Sequence, residues 1–310
     1  MAKYRILSLD GGGLRGLITA RILQRLNDHS DTENFLDDVD LIVGTSTGGI
    51  LALGLAKGLS PEDICQLYIK RGGKIFDDSL FDNILDLGKV IGAEYSTTDL
   101  KRELKKVLGA TTLGKLKRKV AITAFDLDNG AKQRKDRHWK PKIFHNFKGK
   151  GNDSKLSALD VALYTSAAPT YFPSVGGYID GGVFANNPSM VAIAQAISED
   201  NVATERAKLD DIVLLSVGTG YTPTYIKGQR LDWGLGQWAK PLVDVLMDGV
   251  SGIADYQSRQ LLGDRYLRVQ PELPEKPAIK LDSVKQIPLM DKLASDYSIA
   301  KTRAWIKQNW

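Results

Sequence analysis

Histidine is scarce in this chain: of 310 residues only His29, His138 and His145 carry an imidazole, and none lies beyond residue 145. A triad running Ser, acid, His in chain order has no histidine to finish on. His29 reads as a helix-end residue and the other two fall in a basic hairpin region, so all three are expected at the surface or in packing. A single cysteine, Cys65, excludes an internal disulfide; in the helical pattern of residues 61–68 it reads as a small core residue. No run approaches the roughly 18 uninterrupted apolar residues of a membrane span. The N-terminus enters Ile6-Leu7-Ser8-Leu9 without the apolar core of a signal peptide. A cytoplasmic protein with at most peripheral membrane contact is expected. Repeats and low-complexity tracts are missing, as is any nucleic-acid-binding helix or aromatic-studded basic motif, which argues against nucleic acid as a partner.

What is present is an ordinary globular composition, long enough for one large domain over residues 1–310. Charge is uneven. Residues 101–150 hold 16 Lys and Arg against 4 Asp and Glu, or +12, so the overall +5 leaves −7 elsewhere. That excess is either a solvated face or a surface for anionic lipid headgroups or a phosphorylated ligand such as a nucleotide.

Four short apolar runs, residues 4–9, 39–43, 120–125 and 212–217, have the look of buried parallel strands, and the first two lead through glycines into helical patterns. Strands alternating with helices indicate an α/β sandwich. Residues 59–118 read as several helices broken at Gly72-Gly73 and restarted by the Tyr95-Ser96-Thr97 cap signal, a candidate helical cap. Residues 126–142 form a basic hairpin between two strands. A late strand is expected at 266–269 and one closing amphipathic helix over Leu289–Trp310. Leu231, Trp233, Leu235, Trp238, Leu242, Val243, Leu246 and Met247 recur in a partly helical pattern that fits ordinary core packing or a lid or lipid contact.

Three segments carry chemistry. Asp10-Gly11-Gly12-Gly13-Leu14-Arg15-Gly16 lies between a strand and a helix, where backbone N–H groups converge on an anionic oxygen. A dinucleotide fits the loop less well, because no acidic ribose-binding residue follows a second strand about 20 positions on. Gly44-Thr45-Ser46-Thr47-Gly48 matches G-x-S-x-G and runs from an apolar strand straight into a helix, the context in which a sharp turn thrusts the serine hydroxyl out. Tyr178-Ile179-Asp180-Gly181-Gly182 puts an aspartate at a strand end beside glycines. It is either an Asp-Gly turn or, if close to Ser46 and desolvated, a base with raised pKa.

In this order the three segments resemble the motifs of patatin-like phospholipases. Residues 166–173, Ser-Ala-Ala-Pro-Thr-Tyr-Phe-Pro, and 215–220, Leu-Ser-Val-Gly-Thr-Gly, extend the similarity across residues 4–270. The resemblance implies a three-layer α/β/α sandwich with a mostly parallel sheet, and hydrolysis of fatty acyl esters by a Ser-Asp dyad through an acyl-enzyme. Ser46 is then the nucleophile and Asp180 the base. Gly11, Gly12 and Gly13 line the oxyanion hole, and Arg15, Gly16, Gly44, Gly48, Gly181 and Gly182 support the motifs. Gly182 stands where many relatives carry alanine, which the motif also accepts. No metal or cofactor is required. The partner is lipid at a membrane or micelle surface, with an anionic lipid or nucleotide ligand and a homo-oligomer as candidates. The competing readings are a ligand-gated effector or binding protein that uses the basic surface, and an acyltransferase.

Overall fold

The computed structural model describes residues 3–75, 95–238 and 241–310. Seven strands, β1 (Tyr4–Leu9), β2 (Leu41–Thr45), β3 (Lys119–Asp126), β4 (Lys140–His145), β5 (Tyr178–Asp180), β6 (Ile212–Val217) and β7 (Tyr266–Val269), form one sheet. The order is β4-β3-β2-β1-β6-β7, with β5 also on β3. β7, β6, β1, β2 and β3 are mutually parallel, and β4 and β5 run antiparallel to β3. Successive side chains of a strand point to opposite faces. Leu7 and Leu9 therefore join a cluster on one face with helices α1 (Gly16–Asn27), α2 (Thr47–Lys57) and α5 (Ala158–Thr165). Ile6, Leu41, Val43 and Leu214 join a second cluster with α7 (Ser189–Ile197). Both faces are dry, which is why these strands read as continuous apolar runs. The result is the expected helix–sheet–helix sandwich.

β2 begins two residues later than its apolar run suggests. Asp40 is held in the preceding turn: its carboxylate accepts the Arg5 N–H at 2.7 Å and its own N–H donates to the Arg5 carbonyl at 2.9 Å.

Two expectations about helices fail. Helix α3 (Pro61–Ile75) runs straight through Gly72-Gly73. A Cβ on Gly72 would stand 2.9 Å from Leu14 and 3.1 Å from Ile287, so that glycine permits close helix packing rather than a break. The C-terminal segment is two helices, α10 (Ile287–Asp296) and α11 (Ala300–Asn309), not one. The turn between them delivers the carbonyls of Ala294 and Tyr297 to the Arg25 guanidinium at 2.7 and 2.6 Å. As expected, Ser96 caps helix α4 (Thr97–Leu108), its hydroxyl accepting the Thr98 N–H at 3.1 Å. Residues 76–94 of the expected cap lie outside the described residues.

Parallel strands bring their C-terminal ends to one edge. The loops at 10–13, 45–47 and 218–234, and the long β3–β4 hairpin, rise from it. Helix α6 (Gly182–Ala185) follows β5 there, and α8 (Leu235–Trp238) and α9 (Leu242–Leu262) follow β6.

Candidate active site

Strand β3 has two sides, and the register on each decides what meets at this edge. One side pairs with β4. The other is shared end to end: β2 pairs up to Thr45 opposite Thr123, and β5 enters from the far end to place Asp180 opposite Ala124. Ser46 follows Thr45, so adjacent positions of β3 bring Ser46 and Asp180 together although 134 residues separate them in the chain. The Ser46 hydroxyl lies near enough to the Asp180 carboxylate to favour its charged form.

Ser46 has φ +55° and ψ −124°, a conformation that side chains other than glycine rarely adopt. Its N–H donates to Thr165 Oγ1 at 2.8 Å, and the Thr45 hydroxyl donates to the Ala185 carbonyl at 2.6 Å, so the elbow is tied on both sides of the serine. The turn closes only because Gly44 faces the Gly48 carbonyl and Gly48 faces the carbonyls of Leu9 and Asp10 at distances that exclude a Cβ.

The glycine loop is oriented from outside. The Gly11 N–H is already given to the Asn186 carbonyl at 3.0 Å, which corrects the expectation that all three glycines could serve an oxyanion. The Gly11 carbonyl accepts the buried Thr219 hydroxyl at 2.9 Å. In a trans peptide the N–H lies opposite the C=O, so Thr219 fixes the direction of the Gly12 N–H. The Gly12 carbonyl accepts the Arg15 N–H at 3.1 Å and its Nε–H at 3.4 Å, which orients the Gly13 N–H in the same way. Among the described residues neither of these two amides has a hydrogen-bond partner. Asp10 is sealed beneath the loop by Arg268, whose guanidinium also donates to Ser216 Oγ at 2.8 Å. Gly16 lies against Thr47 and Tyr68, joining the loop to α2 and α3.

Burial pushes the Asp180 carboxyl up to about 6, against the nearby Ser46 hydroxyl and the hydrogen bond from the Gly182 N–H at 2.7 Å, both of which favour the charged form. Gly181 presses on Thr123, leaving no room for a Cβ; at Gly182 a Cβ would lie 3.1 Å from Asp180 Oδ1 and 3.2 Å from Met247 Cε, a fit that small adjustments allow. Ser46, Asp180, Gly12 and Gly13 open into one cavity of about 210 Å³ whose walls include Leu14, Ile50, Leu100, Phe172, Met247 and Leu281. Among the described residues no histidine lines it. His29 bonds Arg303, His138 lies on the hairpin and His145 is buried at the end of β4. Cys65 is fully buried.

Thr165, Thr219, Arg268 and Asn186 were not singled out in the sequence. Only Thr219 had a signal available, as the residue between two glycines after an apolar strand.

The family model described as patatin-like phospholipase matches residues 7–193. A cGAMP-activated phospholipase of Pseudomonas aeruginosa is 32% identical over 273 residues, covering 86% of this chain and 78% of that protein. Patatin-like protein 1 of Oryza sativa subsp. indica is 30% identical, covering 91% and 77%. The putative sporulation hydrolase CotR of Bacillus subtilis is 29% identical, covering 100% and 99%.

Proposed function

Because the chain belongs to the patatin-like phospholipase family, we propose that it hydrolyses the acyl esters of phospholipids or related lipids with Ser46 as nucleophile and Asp180 as the base. The observation that carries this reading is the shared side of β3, which sets Ser46 and Asp180 at the mouth of an apolar cavity.

Ser46 Oγ attacks the ester carbonyl as Asp180 takes its proton. The negative charge on the carbonyl oxygen falls to the N–H groups of Gly12 and Gly13, an arrangement worth roughly 3 kcal/mol per donor in related chemistry. The ester C–O bond breaks and the leaving alcohol takes the proton from Asp180. Water then attacks the acyl-serine, giving its proton to Asp180, which returns it to Ser46 Oγ as the fatty acid departs. Asp180 suits both steps because a pKa near 6 leaves it ionised at neutral pH yet basic enough to accept a proton. The apolar walls fit an acyl chain and exclude the water that would solvate the carboxylate.

The test is turnover of a medium-chain p-nitrophenyl ester and of a phospholipid by wild type, Ser46→Ala and Asp180→Asn, with folding followed by circular dichroism. Both folded variants are expected to lose at least 1,000-fold in kcat, on the order seen when a catalytic nucleophile or base is deleted. Near-wild-type activity in Asp180→Asn would assign the base elsewhere.

A further inference from the structure

The edge of the sheet that carries the cavity also carries a basic hairpin. The hairpin tip, residues 127–140, holds five Lys and Arg against two Asp, a net +3. Asp128 and Asn129 brace it from within: Asp128 pairs with Arg137, and the Asn129 amide donates to the Asp136 carbonyl at 2.9 Å. Lys132, Arg134, Lys135 and Lys140 point outward and have no carboxylate partner among the described residues. Trp139, in the same strip, is 71% exposed.

The hairpin is continuous with the cavity mouth. Leu127 at its base is exposed, and Phe125 before it contacts Phe184, with ring centroids 6.2 Å apart. Phe184 adjoins Val183, which is both exposed and part of the cavity rim. Leu246 of α9 is another exposed rim residue, at 56%.

Helix α9 is built inside out. Its inward face is Ser251, Ala254, Ser258 and Leu262, with Ser251 Oγ accepting from Asn186 at 3.1 Å and Ser258 donating to Ser189 at 2.9 Å. Its outward face is Leu242, Val245, Leu246, Ile253 and Tyr256, all exposed and recurring at helical spacing. Gly249 and Gly252 on that face have nothing within 4 Å of a built Cβ. Exposed apolar side chains gathered on one stripe, rather than scattered singly, mark a contact surface. The side chains of Leu235 and Val243, which belonged to the expected lid or lipid contact, lie outside the described residues.

We propose that the β3–β4 hairpin and the outward face of α9 together seat the cavity mouth on an anionic lipid surface, with Lys132, Arg134 and Lys135 against the headgroups and Trp139 at the interface. This rests on the lipid-hydrolase reading in one respect: it names the surface from which the substrate enters. The lipid is favoured over a second copy of the chain because a +3 tip repels its own copy and attracts phosphate, and because a protein seated on Leu246 and Val183 would stopper the cavity it surrounds. Tryptophan prefers the headgroup level of a bilayer.

Binding is read by co-sedimentation in a Ser46→Ala background, so that the vesicles stay intact, using phosphatidylcholine alone and phosphatidylcholine mixed with phosphatidylglycerol. Each basic residue at an anionic surface contributes about fivefold in partition, so Lys132→Ala/Arg134→Ala/Lys135→Ala should weaken binding to the mixed vesicles on the order of 100-fold. Trp139→Ala should weaken it further, and added salt should abolish the preference for the anionic vesicles. In the Ser46 background the hairpin variants should still turn over p-nitrophenyl butyrate as wild type does. Equal partition of the protein onto both vesicle types, or of the triple variant and its parent, overturns the proposal. So does a triple variant that keeps vesicle binding but loses calorimetric binding of a cyclic dinucleotide, which would make the hairpin a nucleotide site. An inactive wild type that still prefers anionic vesicles would sink the hydrolase reading and leave the docking surface standing.

Discussion

Asp180 makes folding and chemistry pull in opposite directions. Its folded pKa of about 6 stands above the usual 3.8, so the folded state holds the proton more tightly. Its contribution is therefore most favourable below pH 3.8 and is lost as pH rises through about 6, at a cost of about 3 kcal/mol once the carboxylate is fully charged. Asp180→Asn removes that charge. It is expected to raise Tm at about pH 8 by several degrees, with the gain shrinking toward pH 4, while kcat/KM of the wild type falls below about pH 6 as the base becomes protonated. A Tm gain that does not depend on pH would assign the effect to packing. Thr219 acts at one remove, through the peptide whose N–H it directs. Thr219→Val keeps the shape and deletes the donor; kcat should fall about 10- to 100-fold, a fraction of the loss of a whole oxyanion donor, with KM and the folded spectrum little changed. Ser46 and Asp180 were legible in the sequence because each sits among glycines whose only use is close approach. Thr165 and Arg268 were not, because they act through hydrogen bonds to distant groups, and a buried hydroxyl or guanidinium leaves no periodic trace.

Elements were legible where one force dominated. The apolar runs gave β1, β2, β3 and β6 to within two residues, because both faces of these strands are buried. The hairpin and the strand at 266–269 also fall where their patterns place them. Errors came where a local signal met a tertiary contact. Gly72 looks like a stop and is a spacer against Leu14 and Ile287. The amphipathic stretch over 289–310 keeps its apolar period across a turn that Arg25 supports with two hydrogen bonds. Arg25→Met retains the aliphatic stem and removes both donors, so a loss of about 1–3 kcal/mol in denaturant unfolding is expected, with amide exchange accelerating first in α10 and α11. Exchange unchanged in those helices would show the turn to be self-supporting. Helix α9 was readable as amphipathic, but composition alone could not say which face looks outward.

At the scale of the whole molecule the two edges of the sheet differ in kind. One gathers the glycine loop, the serine elbow, Asp180, the hairpin and α9. The other is a polar groove of about 840 Å³ lined by Lys117, Arg118, Lys119, Asp37 and Asp40, with none of the residues of the candidate active site. The cavity walls were beyond the sequence because Leu100, Phe172, Met247 and Leu281 come from four separate stretches, and only the fold assembles them. The position of Ser46 against Asp180 is of another kind, since it is a count along β3. Strand registers change only in whole residues, and a slip of one turns every side chain to the opposite face. The separation of nucleophile and base is thus a digital quantity. Point substitutions elsewhere can widen, narrow or recharge the cavity by degrees, but they can only keep this pairing or lose it. Divergence in substrate preference is left to the walls, where gradual change is available.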